Sequence, residues 1–194
     1  MFKLVLLGEG RTGKTSLLTR YAKGGFDDKQ NSTTRASFLE KDLMIGRQPV
    51  RLSIWDTAGQ ERYHALGPIY YRDAHGALLV FDLTDRDSLV KVQNWIKELR
   101  VGAPSGIVCA IAANKADLKA ARQVSDEEIA SFAASVGAIH MLTSAKNGLN
   151  VEEIFMQLAT EVLKKNSVGA SASQTGRLLV SDDISPVARS SGCC

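Results

Sequence analysis

Four short segments of this chain are apolar at nearly every position, and this pattern constrains the fold more than any other sequence feature. They are residues 2–7, 76–83, 106–113 and 138–142. A strand without polar alternation must be covered on both faces, as parallel strands inside an α/β sheet are. Between these segments, apolar residues recur three or four positions apart, as on one face of a helix. The alternation predicts a doubly wound α/β fold.

One region departs from this alternation. Residues 38–45 and 50–56 flank the turn-forming segment 46–49, whose sequence is GRQP. Two strand-length segments joined by so short a connection are typical of an antiparallel hairpin. We therefore expect a mixed, mostly parallel six-stranded sheet with helices on both faces. In such folds ligands bind at the carboxyl ends of the strands.

The composition fits one folded domain followed by a tail. The chain has 194 residues, of which 44% are hydrophobic and 23% are charged, as in ordinary globular proteins. After residue 165 the sequence is rich in Ser, Ala and Gly and has too few apolar residues to build a core. We predict a domain over residues 1–165 and a flexible C-terminal tail over residues 166–194.

Charge and cysteine content argue against several classes of protein. A net charge of +3 is too small to indicate a nucleic-acid-binding surface, so no nucleic-acid partner is expected. The three cysteines are Cys109, Cys193 and Cys194, and an adjacent terminal pair cannot close the loops of a disulfide framework. No apolar run approaches the roughly 20 residues that span a bilayer. The pattern predicts a reducing compartment and neither a membrane span nor a secretion signal.

Segment 8–15 reads GEGRTGKT and lies between the first predicted strand and a predicted helix. It fits the pattern G-x-x-x-x-G-K-[ST] in the context that this pattern requires. Its backbone N–H groups can surround phosphate oxygens, Lys14 can reach the β and γ phosphates, and the Thr15 hydroxyl can bind Mg²⁺. The alternative is a glycine-rich turn without a ligand. The predicted phosphate site comprises Gly10, Arg11, Thr12, Gly13, Lys14, Thr15 and Ser16.

Two later segments indicate the base. Residues 114–117 read NKAD and follow the third apolar run. The Asp117 carboxylate can accept two hydrogen bonds from the N1–H and the exocyclic amine of guanine, whereas adenine would leave that carboxylate unpaired. Residues 143–146, TSAK, end the next strand and supply a second loop at the base. The predicted base site comprises Asn114, Lys115, Asp117, Ser144, Ala145 and Lys146, and GTP is preferred over ATP.

A fourth motif, DTAGQE at residues 56–61, completes a set whose order and spacing resemble those of the Ras superfamily of small GTPases over residues 2–165. The resemblance implies a P-loop NTPase fold with a monomeric domain that hydrolyses GTP to GDP and phosphate. It also implies that Thr15, Thr33 and Asp56 hold Mg²⁺. The N–H of Gly59 would sense the γ-phosphate, and Gln60 would orient the attacking water as the catalytic residue.

Phe26 and Arg11 each have two interpretations. Phe26 matches the family's aromatic that packs on the guanine edge, although it can equally be a hydrophobic anchor of its loop. Arg11 stands where small or aliphatic residues are usual in the family. Its guanidinium could reach the γ-phosphate as a partial internal arginine finger, or it could point to solvent.

Within the superfamily, the segment IWDTAGQERY at 54–63 and the terminal cysteine pair resemble the Rab family. The segments GEG at 8–10, ASFL at 36–39 and HALGPIYYRD at 64–73 are similar to the endosomal subgroup. This resemblance implies a GTP/GDP switch that regulates endocytic vesicle traffic. An exchange factor, a GTPase-activating protein and effectors are the implied partners.

The resemblance also assigns an effector surface and a membrane anchor. Phe38, Trp55 and Tyr70 match the exposed aromatic triad with which Rab proteins bind effectors, the alternative being packing beneath the switch loops. Cys193 and Cys194 resemble the double geranylgeranylation signal, and two lipid chains give stable anchoring where one does not. A dissociation inhibitor and an escort protein are then expected as carriers. The implied location is the cytoplasmic face of endosomal membranes, with a carrier-bound cytosolic pool.

Two other functions use the same phosphate motif. A P-loop ATPase or nucleoside kinase would prefer adenine or transfer phosphate to a metabolite, which Asp117 argues against. A nucleotide-binding scaffold would never hydrolyse GTP, which Gln60 argues against.

Overall fold

The computed structural model describes residues 1–30, 33, 36–57 and 67–172. Within these ranges the chain forms a six-stranded sheet with the strand order β2-β3-β1-β4-β5-β6. The β2–β3 pair is antiparallel and the other four neighbouring pairs are parallel. The predicted mixed, mostly parallel sheet is confirmed. The strands are β1 (Phe2–Leu7), β2 (Ser37–Ile45), β3 (Gln48–Asp56), β4 (Gly76–Asp82), β5 (Val108–Asn114) and β6 (Ile139–Leu142).

Helices cover both faces of the sheet, and each face has its own hydrophobic core. On one face α1 and α5 pack against alternate residues of the central strands, such as Leu4 and Leu78. On the other face α2, α3 and α4 pack against their neighbours, such as Val5 and Leu79. The helices are α1 (Lys14–Lys23), α2 (Gly67–Tyr71), α3 (Arg86–Gly102), α4 (Asp126–Val136) and α5 (Val151–Ala172), and a 3₁₀ turn spans Lys119–Ala121.

Side-chain caps and glycines set several helix ends. The Ser125 hydroxyl accepts a hydrogen bond from the Glu128 N–H at the start of α4, and the Asp85 carboxylate accepts one from Asp87 at the start of α3. Gly24 and Gly137 end α1 and α4 in the left-handed conformation that glycine adopts without strain.

The hairpin has a shorter connection than the sequence pattern indicates. The expected turn at 46–49 was too long, because Gln48 and Pro49 already pair with Ile45 and Met44. The remaining two-residue turn needs a positive φ at its first position, and Gly46 supplies it at 61°.

Helix α5 continues past the predicted domain boundary. Over residues 151–167, where burial is described, its last buried residue is Val162, and the helix runs on to Ala172. A helix needs only local hydrogen bonds to continue, so the composition change at residue 165 does not mark the end of the helix. The division between residues 165 and 166 stays a prediction. None of the helices in the described part of the chain has the length and apolar composition that crossing a membrane requires.

The topology gathers the predicted motifs at one edge of the sheet. From β1 the chain passes to β2 and β3 on one side and then returns to β4 on the other. Such a reversal opens a crevice at the carboxyl ends of the strands. The loops after β1, β3, β5 and β6 all emerge there.

Candidate functional site

The loop between β1 and α1 has the backbone geometry of a phosphate cradle. Gly8, Arg11 and Gly13 all have positive φ angles, of 139°, 66° and 94°. A side chain at Gly8 would collide with the Val80 carbonyl oxygen, so β4 requires a glycine there. The loop ends at the N-terminus of α1, where free N–H groups attract anions.

Lys14 lies buried at the base of this loop. Its Nζ donates hydrogen bonds to the carbonyl oxygens of Gly8 at 2.7 Å and Glu9 at 2.8 Å. Burial lowers the pKa of Lys14 to about 8, although the charges of Asp56 and Glu9 oppose the change. An anionic ligand would stabilise the charged form of this buried ammonium group, because it replaces the hydration that burial removes.

Three oxygen-bearing residues converge beside Lys14. The Thr15 hydroxyl lies 2.6 Å from the Thr33 hydroxyl and donates to Asp56 Oδ2 at 2.6 Å. Asp56 Oδ1 is buried and has no hydrogen-bond partner among the described residues. Burial raises the pKa of Asp56, while the Thr15 hydrogen bond and the Lys14 charge hold it down. A carboxylate oxygen without a partner, next to two hydroxyls, is a donor set that suits Mg²⁺.

The base-side loops are tied to each other and to the phosphate loop. Asn114 Nδ2 donates to the Thr12 carbonyl oxygen at 2.8 Å, and its Oδ1 accepts from the Ala145 N–H at 3.3 Å. The Ser144 hydroxyl donates to Asp117 Oδ1 at 2.5 Å, which orients that carboxylate. Asn114 and Ser144 therefore fix the relative positions of the loops after β1, β5 and β6 through hydrogen bonds.

Lys115 is held in an ion pair. Its Nζ lies 2.5 Å from Asp82 Oδ2, and its backbone has a φ of 65°. Asp82 also accepts hydrogen bonds from the backbone N–H and the hydroxyl of Thr84. This network fixes the wall of the site at the end of β4.

Together these loops enclose a cleft of about 590 Å³, within the range of small-molecule sites. Thr12 and Ser144 are buried behind the cleft surface, and Gly59 and Gln60 lie outside the described residues. The predicted residues that line the cleft are Gly10, Arg11, Gly13, Lys14, Thr15, Ser16, Phe26, Thr33, Asn114, Lys115, Asp117, Ala145 and Lys146. The lining residues that sequence reasoning missed are Asp27, Asp28, Gln30, Thr57 and Leu118.

Most of these omissions follow a predicted residue directly along the chain. Thr57 follows Asp56, and its hydroxyl donates to the Leu6 carbonyl oxygen at 2.6 Å. Their position next to a predicted site residue was the sequence signal that could have identified them. Phe26 lines the cleft and also packs against the core beneath α1, so its position is compatible with both interpretations and its contact with a base stays a prediction.

The three aromatic residues predicted to bind effectors form one cluster. The ring centroids of Phe38 and Trp55 are 5.4 Å apart, and those of Trp55 and Tyr70 are 6.2 Å apart. Phe38 is 61% exposed, whereas Trp55 and Tyr70 are half-buried against the core of the α2–α4 face. The cluster thus presents an aromatic surface and also packs inward.

Comparisons with known proteins identify the family of this chain. The Ras family profile matches residues 3–164. Similar curated proteins include the Ras-related protein Rab-21 of Rattus norvegicus, 49% identical over alignments that cover all of this chain and 91% of that protein. The Rab-21 of Canis lupus familiaris is 51% identical with the same coverage, and that of Dictyostelium discoideum is 43% identical and covered to 96%.

Ras-family proteins bind guanine nucleotides and Mg²⁺. The chain belongs to the Ras family, as a small GTPase of the Rab type that hydrolyses GTP.

Proposed function

We propose that this GTPase is a GTP/GDP switch that regulates endocytic traffic on endosomal membranes. The observation that carries the proposal is the contact of Thr33 with Thr15, at 2.6 Å, inside the cleft. Thr33 stands four residues before β2, which begins with Ser37 and Phe38. A change at the nucleotide can therefore reach the aromatic cluster of Phe38, Trp55 and Tyr70 through a short stretch of chain, and effectors can read it there.

The positions of these residues in and beside the cleft support the proposed nucleotide roles. Lys14 and the loop N–H groups hold the phosphates, and Asp117 reads the base. Thr15, Thr33 and Asp56 are the ligands proposed for Mg²⁺, which neutralises charge on the phosphate oxygens when bound. Gly59 and Gln60 are assigned from the sequence motif, as γ-phosphate sensor and as the residue that orients the attacking water.

Hydrolysis of this kind depends on positioning and charge neutralisation more than on covalent chemistry. Without an arginine finger the intrinsic rate is slow, and an activating protein is proposed to raise it by roughly 10³ to 10⁵-fold. Arg11 lines the cleft, which is compatible with phosphate contact as well as with a solvent-facing side chain. An exchange factor would reload GTP.

The C-terminal tail is proposed as the membrane anchor. The domain over 1–165 carries the switch, and residues 166–194 carry two geranylgeranyl groups on Cys193 and Cys194. Two such chains give stable anchoring, so a dissociation inhibitor and an escort protein are needed to carry the protein through the cytosol. Placement on endosomes is supported by segments 8–10 and 36–39, which are similar to those of endosomal Rabs.

Imaging tests this proposal. The Gln60→Leu variant should accumulate on endosomes and capture effectors, since a GTP-bound state persists when hydrolysis is blocked. A Cys193→Ser/Cys194→Ser variant should become cytosolic, while the neighbouring Ser190→Ala/Ser191→Ala variant should behave as wild type. Unchanged membrane association without the two cysteines would refute the anchor, and accumulation on another organelle would refute the location.

A further inference from the structure

Arg20 ties three separate parts of the cleft wall together. It lies in the last turn of α1, and the residue as a whole is half-buried. Nε donates to the Ala145 carbonyl oxygen at 2.8 Å, while the two terminal nitrogens donate to the carbonyl oxygens of Lys146 and Gly24. The Gly24 N–H in turn donates to the Arg20 carbonyl oxygen at 2.9 Å. One side chain thus joins α1, the segment that leads to Phe26, and the base-side loop.

These contacts determine which way the base-side loop presents its N–H groups. In a trans peptide the C=O and the N–H point in opposite directions. Arg20 holds the Ala145 carbonyl on the outer side of the loop, so the N–H of the same peptide, which belongs to Lys146, turns to the opposite side.

The following peptide identifies that opposite side. Its carbonyl, on Lys146, is also held by Arg20, and its N–H, on Asn147, donates to the Ser144 hydroxyl at 3.3 Å. That hydroxyl is the one bound to Asp117. The side facing away from Arg20 is therefore the side of Asp117, and both Ala145 and Lys146 line the cleft there.

An N–H fixed beside Asp117 discriminates between purines. The substituent at position 6 is a hydrogen-bond acceptor in guanine and a donor in adenine. We propose that Arg20 is a positioning residue for guanine recognition, which acts by aiming the Lys146 N–H at the 6-oxo group. The inference rests on the proposed guanine site, in which Asp117 reads the N1–H and the 2-amino group.

The role requires an arginine. The planar guanidinium carries five N–H donors in a fixed fork, so it can hold three carbonyl oxygens at once. A lysine at this position keeps the charge but cannot hold the same three acceptors in one geometry. Arg20→Lys therefore separates the loss of positioning from the loss of charge.

The test measures dissociation rates of GDP, 6-thio-GDP and inosine diphosphate from the Mg²⁺-loaded protein. Sulfur at position 6 is a weak acceptor, and inosine lacks only the 2-amino group. In wild type the sulfur should speed dissociation about fivefold, the value of one neutral hydrogen bond. In Arg20→Ala and Arg20→Lys, 6-thio-GDP should dissociate at nearly the same rate as GDP, so this penalty should disappear. The faster dissociation of inosine diphosphate relative to GDP should stay as in wild type. Lys23→Ala, an exposed change in the same helical turn, should retain both penalties.

Two results would overturn the inference. A sulfur penalty that persists in both Arg20 variants means that the N–H is aimed without Arg20. A fall in both penalties together means that Arg20 only supports the fold of the site. Failure of the proposed site itself looks different, since wild type would then show no preference for GDP over either analogue.

Discussion

Asn114 lies where the phosphate loop meets the two base-side loops. It is 1% exposed and bonds to Thr12 and Ala145 through opposite ends of its amide, with the Thr143 hydroxyl 3.4 Å from its Oδ1. Asn114→Ala leaves these buried groups without partners. Each unpaired group costs about 1–3 kcal/mol of desolvation free energy. We expect GDP to dissociate at least about tenfold faster, measured with a fluorescent GDP analogue.

The matched control is Asn94→Ala, which removes an exposed amide from α3. Its dissociation rate should equal that of wild type. An Asn114→Ala protein that folds and releases GDP at the wild-type rate would show that the three loops hold their positions without the hydrogen bonds of Asn114.

Cys109 is expected to be an inert thiol. It is half-buried and directly precedes the buried part of β5, and desolvation raises the pKa of its thiol from 9.0 to about 11. Because only the thiolate reacts, alkylation by iodoacetamide at pH 8 should be about a hundredfold slower than for an ordinary thiol. The measurement uses a Cys193→Ser/Cys194→Ser chain, with the same chain in urea as reference. Native and unfolded rates within a few fold of each other would contradict this expectation.

Residue types could be assigned from sequence more readily than residue contacts. Lys14, Thr15 and Asp117 stand in motifs whose spacing along the chain is itself the signal. Arg20 stands in no motif, and its contacts with Ala145 and Lys146 span more than a hundred residues. Such contacts depend on where the fold places α1 relative to the loop after β6, which local patterns do not encode.

Elements were predictable where a hydrophobic pattern defines them. The run at 2–7 coincides with β1, because both faces of that strand are covered. Ends were less predictable: the run at 106–113 begins two residues before β5, and α5 outlasts the apolar pattern that predicted it. A strand ends where its neighbour stops pairing, and the composition of the segment carries little information about that point.

Close packing of α5 on β4 depends on Gly76. A Cβ atom at this position would lie 2.9 Å from Leu4 Cδ2 and 3.0 Å from Val162 Cγ2. Gly76→Ala should therefore force α5 away from the sheet and lower the free energy of unfolding by about 1–3 kcal/mol, as overpacking does. Urea denaturation with saturating GDP measures this free energy of unfolding. Gly25→Ala, with open space around its Cβ, is the control and should change stability little. Equal stabilities of the two variants would show that the α5 interface can relax.

At the scale of the molecule, most of the buried polar groups of the described residues lie at one edge of the sheet. Lys14, Asp56, Thr57 and Asn114 are all buried there, and the pKa changes of Lys14 and Asp56 both reflect the cost of burying charge. Most other buried side chains of the described residues are apolar, with Ser53 of β3 and Ser88 of α3 among the polar exceptions. We therefore expect the nucleotide edge to lower the stability of the free protein, and bound ligands to restore it.

Removal of Mg²⁺ tests whether Asp56 lowers the stability of the metal-free protein and raises that of the metal-bound protein. In excess GDP, Mg²⁺ should raise the stability of wild type by about 4 kcal/mol at a thousandfold excess over its Kd. In Asp56→Asn this increment should be largely lost. Without Mg²⁺ the variant should be at least as stable as wild type, because a neutral amide avoids burying a charged oxygen that has no partner among the described residues. Thermal unfolding with EDTA or Mg²⁺ gives both values. Asp42→Asn, on the exposed hairpin, should keep the full increment. If Asp56→Asn also keeps it, the metal binds elsewhere.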